Sequence, residues 1–289
     1  MSPVGPASPV WYAARAGLRR GWTELRQTFT TGQDLFGHAL WTVLLIVPLL
    51  LLRDEPLKGA GISLGAFMLP SMMGMTLAFT GLMTTAQLLA TEREDGTLLR
   101  AKAVPHGMVG YLVGKIIMVS GTALVSMALA LAAGVFLVDG VAREGGGALL
   151  TLVWVVPLGL LASLPIGAVI GSLVASPRAI GLLMLPVMGM VVISGIYFPL
   201  SKLPEWLQTV GQVFPVYWLG LGLRSALLPA GAVAAEIGDS WRHLETAAVL
   251  GGWAVAGLLL APSVLRRMAR RESGAAMEER RWKAMQRVG

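Results

Sequence analysis

The chain has 289 residues, of which 55% are hydrophobic and only 13% charged. A soluble globular protein carries about 25% charged residues, so the composition points to an integral membrane protein. Cysteine is absent, which excludes a disulfide framework, a thiolate metal site and a cysteine nucleophile. The formal charge of +7 fits either nucleic acid or a membrane face, and the placement of the charges decides between them.

Residues 1–9 hold three prolines and read as a flexible tail. Residues 10–34 read as an amphipathic helix. Trp11, Leu18, Trp22, Leu25 and Phe29 recur on one face, while Arg15, Arg19, Arg20, Glu24, Arg26 and Gln27 fall elsewhere. Aromatics opposite arginines suit a helix in the headgroup region. Residues 35–265 form the transmembrane part, because an apolar run of about 20 residues crosses the ~30 Å of hydrocarbon. The expected spans are 35–52, 62–91, 116–138, 148–175, 179–198 and 246–265. None of them contains Asp, Glu, Lys or Arg apart from flanking positions. Proton- or sodium-driven carriers place ionisable groups at mid-membrane, so this absence weakens an ion-coupled reading. Met68, Met72, Met73 and Met75 cluster in the second span. Methionine adapts to varied shapes, which makes Met68, Met72 and Met75 a candidate substrate path, although core packing is the more ordinary role.

Between the second and third spans lies a polar island, 92–115. Glu92, Arg93, Glu94, Asp95, Arg100 and Lys102 crowd into eleven positions. Gly96 suits a helix stop, Thr97 a cap, and Pro105 an end. A short helix from Leu98 to Val104 with Leu98 and Leu99 exposed is therefore expected, a shape that sits in a partner's groove. Further on, Pro204 suits a helix start. Trp206, Leu207, Val210, Val213 and Phe214 share a face that Pro215 closes. The apolar segment Val216–Leu228 ends at Pro229. Neither piece is long enough to cross, so both read as interfacial or re-entrant helices. The basic stretch 266–289 reads as a cytoplasmic tail.

With six spans, the N-terminal helix, the island, Arg178 and the tail share one side. They hold 17 of the 23 Lys and Arg, while Asp and Glu divide equally. The positive-inside rule places that side, with both termini, in the cytoplasm. This explains the basic charge without nucleic acid.

Three stretches carry a resemblance to a known family. They are Glu92-Arg93-Glu94-Asp95-Gly96-Thr97-Leu98, then Tyr111-Leu112-Val113-Gly114-Lys115, and Ser194-Gly195-Ile196-Tyr197-Phe198-Pro199-Leu200 followed by Leu203-Pro204-Glu205-Trp206-Leu207 and Phe214-Pro215. In this order and spacing the chain resembles permease subunits of type-2 ABC exporters, the group with drug-resistance and antibiotic-export permeases. The resemblance implies an all-α integral membrane protein of six transmembrane helices in a bacterial plasma membrane. It further implies an N-terminal elbow helix at 10–34, a cytoplasmic coupling helix in the island and extracellular re-entrant half-helices. The ATPase-coupling residues would be Glu92, Glu94, Gly96, Thr97, Leu98, Leu99 and Arg100. The extracellular gate would be Phe198, Pro199, Pro204, Trp206, Phe214 and Pro215. The implied partners are an ABC ATPase subunit, a second permease copy or paralogue, and membrane lipid. The segment from Lys102 to Gly107 departs from the commoner ending of the coupling motif.

No catalytic, metal or cofactor site is read in this chain, so ATP and magnesium would be bound by the partner. Gly110 to Lys115 imitates a phosphate loop, but only three residues separate its glycines and Ile116 replaces the magnesium-binding hydroxyl. His38, His106 and His243 stand apart, with no Glu at helical spacing. The expected function is export of a hydrophobic or amphipathic substrate, a drug, antibiotic or lipid. The rivals are an ion-coupled carrier, a membrane enzyme, and a same-family exporter of polysaccharide or ions.

Overall fold

The computed structural model describes residues 9–139, 141, 146–174 and 177–271. Of the expected tail at 1–9, residues 1–8 lie outside these residues, as do most of the loop after the third span, the junction at 175–176 and the tail beyond Arg271; Pro9 begins the first helix. The described chain is all-α except for one small hairpin.

The order runs α1 (Pro9–Thr28), α2 (Gly32–Leu51), then the hairpin of β1 (Pro56–Leu57) and β2 (Ile62–Ser63), which pairs Pro56 with Ser63. Next come α3 (Leu64–Phe79), a π-helical turn (Thr80–Thr84) and α4 (Thr85–Glu94), followed by α5 (Thr97–Lys102) and α6 (Gly107–Leu137). After these stand α7 (Gly146–Leu173), α8 (Pro177–Val192), α9 (Glu205–Val213), α10 (Pro215–Leu227) and α11 (His243–Arg271). Among the described residues, four stretches are long and apolar enough to cross a membrane: Leu64–Glu94, Gly107–Leu137, Gly147–Leu173 and His243–Met268. The helix Ala179–Val192 is apolar but shorter.

The rod Leu64–Glu94 is the central post. Its most apolar window is 83% buried, against 17% to 33% for the other three. The reason is compositional: α3 is hydrophobic on every side, and such a helix belongs in an interior. Phe67, Met68, Met73 and Leu77 are fully buried. α10 lies against this post. Gly74 and Gly220 set the crossing, since a Cβ on Gly74 would stand 2.7 Å from the Gly220 backbone nitrogen. The outer helices turn large apolar side chains outward instead. Phe136 of α6, Leu149 and Leu150 of α7, Leu185 of α8 and Leu259 of α11 are all exposed, as lipid contact requires.

Packing sorts the loops into two ends. At one end Leu98 of α5 meets Met268 of α11, and Arg93 reaches the carbonyls closing α7. At the other, Arg53, Gly61, Val138 and Pro229 line one polar bowl.

Several expectations change. The N-terminal helix stops at Thr28 rather than 34, and α8 stops at Val192, because Gly195 takes a left-handed φ of +68°. Of the two expectations for the segment Val216–Leu228, interfacial or re-entrant, its burial removes the interfacial one. In α10 every residue from Tyr217 to Leu227 is buried against α3 and α7. Met68, Met72 and Met75 belong to that same core. Met72 also borders a small void of about 30 Å³.

Candidate functional site

The polar island folds as a turn and a half of helix between two long ones. α4 ends at Glu94. Gly96 then takes φ +78°, a left-handed conformation that glycine adopts without steric cost, and reverses the chain into α5. Thr97 is not the cap. It is the first helical residue, and its N–H donates to Asp95 Oδ1 at 2.8 Å. The Thr97 hydroxyl instead accepts from Arg100 Nη2 at 2.9 Å.

The expected exposed pair Leu98–Leu99 is also corrected. Leu98 is 2% exposed and packs with Leu89, Tyr111 and Met268, while Leu99 is half-buried. The large apolar side chain is needed to seat α5 on α4, α6 and α11. The exposed rim is a different set: Arg100, Lys102, Val104, Pro105 and His106. Val104 is 59% exposed, and His106 holds the next turn with φ +55°.

Beneath α5 runs a chain of alternating charges. Arg20 Nε donates to Glu24 Oε1 at 2.7 Å within α1. Lys115 Nζ of α6 stands 2.7 Å from Glu24 Oε2 and 2.5 Å from Glu92 Oε1 of α4. The Tyr111 hydroxyl donates to Glu92 Oε2 at 2.6 Å. Two cations and two anions balance, and the low exposure of Lys115 and Glu92 strengthens each contact relative to water. Burial alone pushes the Glu24 carboxyl up. Hydrogen bonds from Lys115 and Arg20 outweigh it and hold the carboxyl below its ordinary value of 4.5. The bond to Glu24 raises Arg20 in turn.

Two glycine pairs make this chain possible. Gly17 and Gly21 of α1 face Gly110 and Gly114 of α6. A Cβ on Gly17 would stand 2.2 Å from the Gly110 carbonyl oxygen, and one on Gly21 2.4 Å from that of Gly114. Small residues at four-residue spacing let two helix backbones touch. α1 therefore packs through Gly17, Gly21, Leu25 and Thr28, whereas Trp11, Leu18 and Trp22 stay outward. Of the expected aromatic face, Trp11, Leu18 and Trp22 are exposed, Phe29 is half-buried and Leu25 is buried. Arg93 adds a further tie. Its Nη1 donates to the carbonyls of Ser172 at 3.3 Å and Val174 at 3.2 Å at the C-terminus of α7, where the helix dipole favours a cation. Glu94 is half-buried at the close of α4.

At the opposite end, Pro204 caps α9 and Pro215 is the first residue of α10. Trp206 is exposed, and Phe214 stacks on Trp253 at 6.4 Å. Phe198 is half-buried and Pro199 buried beside the core. The residue that organises this end was read only as part of an apolar segment. Arg224 is 1% exposed. Its Nε and Nη2 meet Glu236 at 2.5 Å and 3.2 Å, and its Nη1 donates to Ser71 Oγ at 2.8 Å. The guanidinium also lies 4.6 Å from the Phe67 ring centroid. With this many partners the pair is satisfied within the chain.

A family model described as ABC-2 family transporter protein matches residues 53–261. Comparison with curated proteins gives no match.

Proposed function

Because the chain belongs to the ABC-2 family of transporter membrane proteins, we propose that it is the permease of an ATP-driven exporter carrying a hydrophobic or amphipathic substrate, a drug, antibiotic or lipid, out of a bacterial cytoplasm. The family implies an ABC ATPase partner. In this reading ATP and magnesium sit on that partner, which docks on the exposed rim of α5 and the turn to α6. A second permease copy or paralogue completes the transporter, and both termini are cytoplasmic.

The observation that carries this reading is the charge chain Arg20–Glu24–Lys115–Glu92–Tyr111 beneath α5. It fastens α1, the α4–α5 turn and α6 into one block. A push on α5 is thereby passed to the central post Leu64–Glu94 and to α6 together. The post carries α10 against its other end through Ser71 and Arg224, so the same movement reaches the extracellular half-helices, where Phe198, Pro199, Trp206 and Phe214 form the gate. The apolar interior holds no unsatisfied charge among the described residues, in keeping with a substrate of low charge.

The test uses Arg100→Glu with Val104→Asp, both exposed on the rim. The variant inserts and folds as the parent does, because neither side chain is in the core. Pull-down of the ATPase falls at least tenfold, equivalent to about 1.4 kcal/mol, and substrate-stimulated ATP turnover in vesicles falls with it. A variant that holds its ATPase and exports at the parental rate would remove α5 from the docking surface.

A further inference from the structure

A groove of about 440 Å³ opens sideways between α6, α7 and α11 at the α5 end of the molecule. Its walls include Met108, Leu112, Ile116, Leu164, Leu258 and Leu265. Leu112, Ile116 and Leu258 are exposed, so the opening has an apolar rim. Two cations, Lys115 and Arg266, line it alongside these apolar side chains. A smaller void of about 40 Å³ shares Thr85, Leu112, Lys115, Ala168 and Leu265 with the groove and extends it toward Tyr111.

We propose that this groove binds an anionic phospholipid, with one acyl chain along the apolar walls and the phosphate at Arg266. The size lies within the ~300–1,000 Å³ of ordinary ligand pockets. The apolar walls do not choose the ligand, since lipid tails are as apolar as leucine and surround the protein on all sides. The choice rests on the polar groups. Lys115 faces Glu24 and Glu92, which use two of its three N–H donors and neutralise it. Arg266 makes no ion pair among the described residues, is exposed and adds net positive charge. A neutral or zwitterionic amphiphile leaves that charge unmatched, and an anionic headgroup matches it. That the lipid comes from the inner leaflet rests on the topology proposed above. The binding does not, and it is measured without reference to orientation or transport.

The test is native mass spectrometry of the detergent-solubilised full chain with dioleoyl phosphatidylglycerol or dioleoyl phosphatidylcholine. Phosphatidylglycerol adducts exceed phosphatidylcholine adducts by about fivefold, the preference expected from one basic residue near a lipid phosphate. Arg266→Gln abolishes the preference. Arg267→Gln, exposed on the same turn but not lining the groove, keeps it. Ala168→Phe fills the groove and removes the retained lipid, and Leu258→Trp at the rim serves the same purpose should the Ala168 variant not fold. Equal retention of the two lipids, or a preference that survives Arg266→Gln, overturns the proposal.

Discussion

Lys115 shows how much one side chain settles here. It stands between carboxylates from two different helices, 91 and 23 positions away in the chain, and no periodicity in the sequence connects them. Removing one member of a buried charge set leaves the others unpaired, at a cost of about 3 kcal/mol. Lys115→Met therefore lowers thermal stability in detergent by about that amount. Glu92→Gln in the same background restores part of it, because the two changes are coupled. A double variant as unstable as the sum of the single ones would mean that the two groups do not interact. The same cation sets a pH dependence. The Glu24 carboxyl is held below its ordinary 4.5 in the folded chain, so its contribution is fully present above about pH 4.5. It is lost as pH falls through the lowered value. A fluorophore at Gln27, exposed on α1, reports release of that helix only below the ordinary carboxylate range. In Lys115→Met the release moves to higher pH, and an unmoved midpoint would assign the shift to Arg20 alone.

At the scale of elements, hydropathy made the long helices legible, because a run of uncharged residues has few other places to go. The facing of short or small-residue helices was not legible. α5 has six residues, too few to display a periodic face, and the leucine that sequence reasoning turned outward is the one that seats it. α10 reads as an interfacial or re-entrant piece from its length, and nothing in the sequence singles out the arginine within it. Its partner Glu236 lies twelve positions on, beyond a proline, and only the tertiary fold joins them. The glycine pairs 17/21 and 110/114 were present in the sequence at four-residue spacing. They become informative only once α1 is known to lie on α6 rather than wholly in the headgroup layer. Their role is tested by Gly21→Ala. A methyl group there meets a backbone carbonyl that cannot swing aside, and overpacking of this kind costs about 1–3 kcal/mol. Proteolysis within α1 accelerates accordingly, while Gly32→Ala, where a Cβ meets nothing within 4 Å, leaves the rate unchanged. Equal rates for the two variants would show that α1 does not depend on close approach.

The whole molecule has two chemically unlike ends, and packing rather than the hydropathy plot decides which loops share them. Leu98 against Met268, and Arg93 against the last carbonyls of α7, bring the island, the close of α7 and the end of α11 together. The hairpin, Val138 and Pro229 gather at the other. We propose that the island end is the cytoplasmic one, the orientation that the positive-inside rule expects of a 17-to-6 division of the basic residues. The chain lacks cysteine, so single cysteines report orientation directly. Gly96 is unsuitable, being buried with a left-handed φ, whereas Ala103 and Ser240 are exposed at opposite ends. With a membrane-impermeant maleimide on intact cells, Ser240→Cys labels and Ala103→Cys labels only after permeabilisation. Labelling of Ala103→Cys from outside would invert the molecule. It would put the α5 rim out of reach of any cytoplasmic ATPase, and the coupling role proposed for that rim would fall with it.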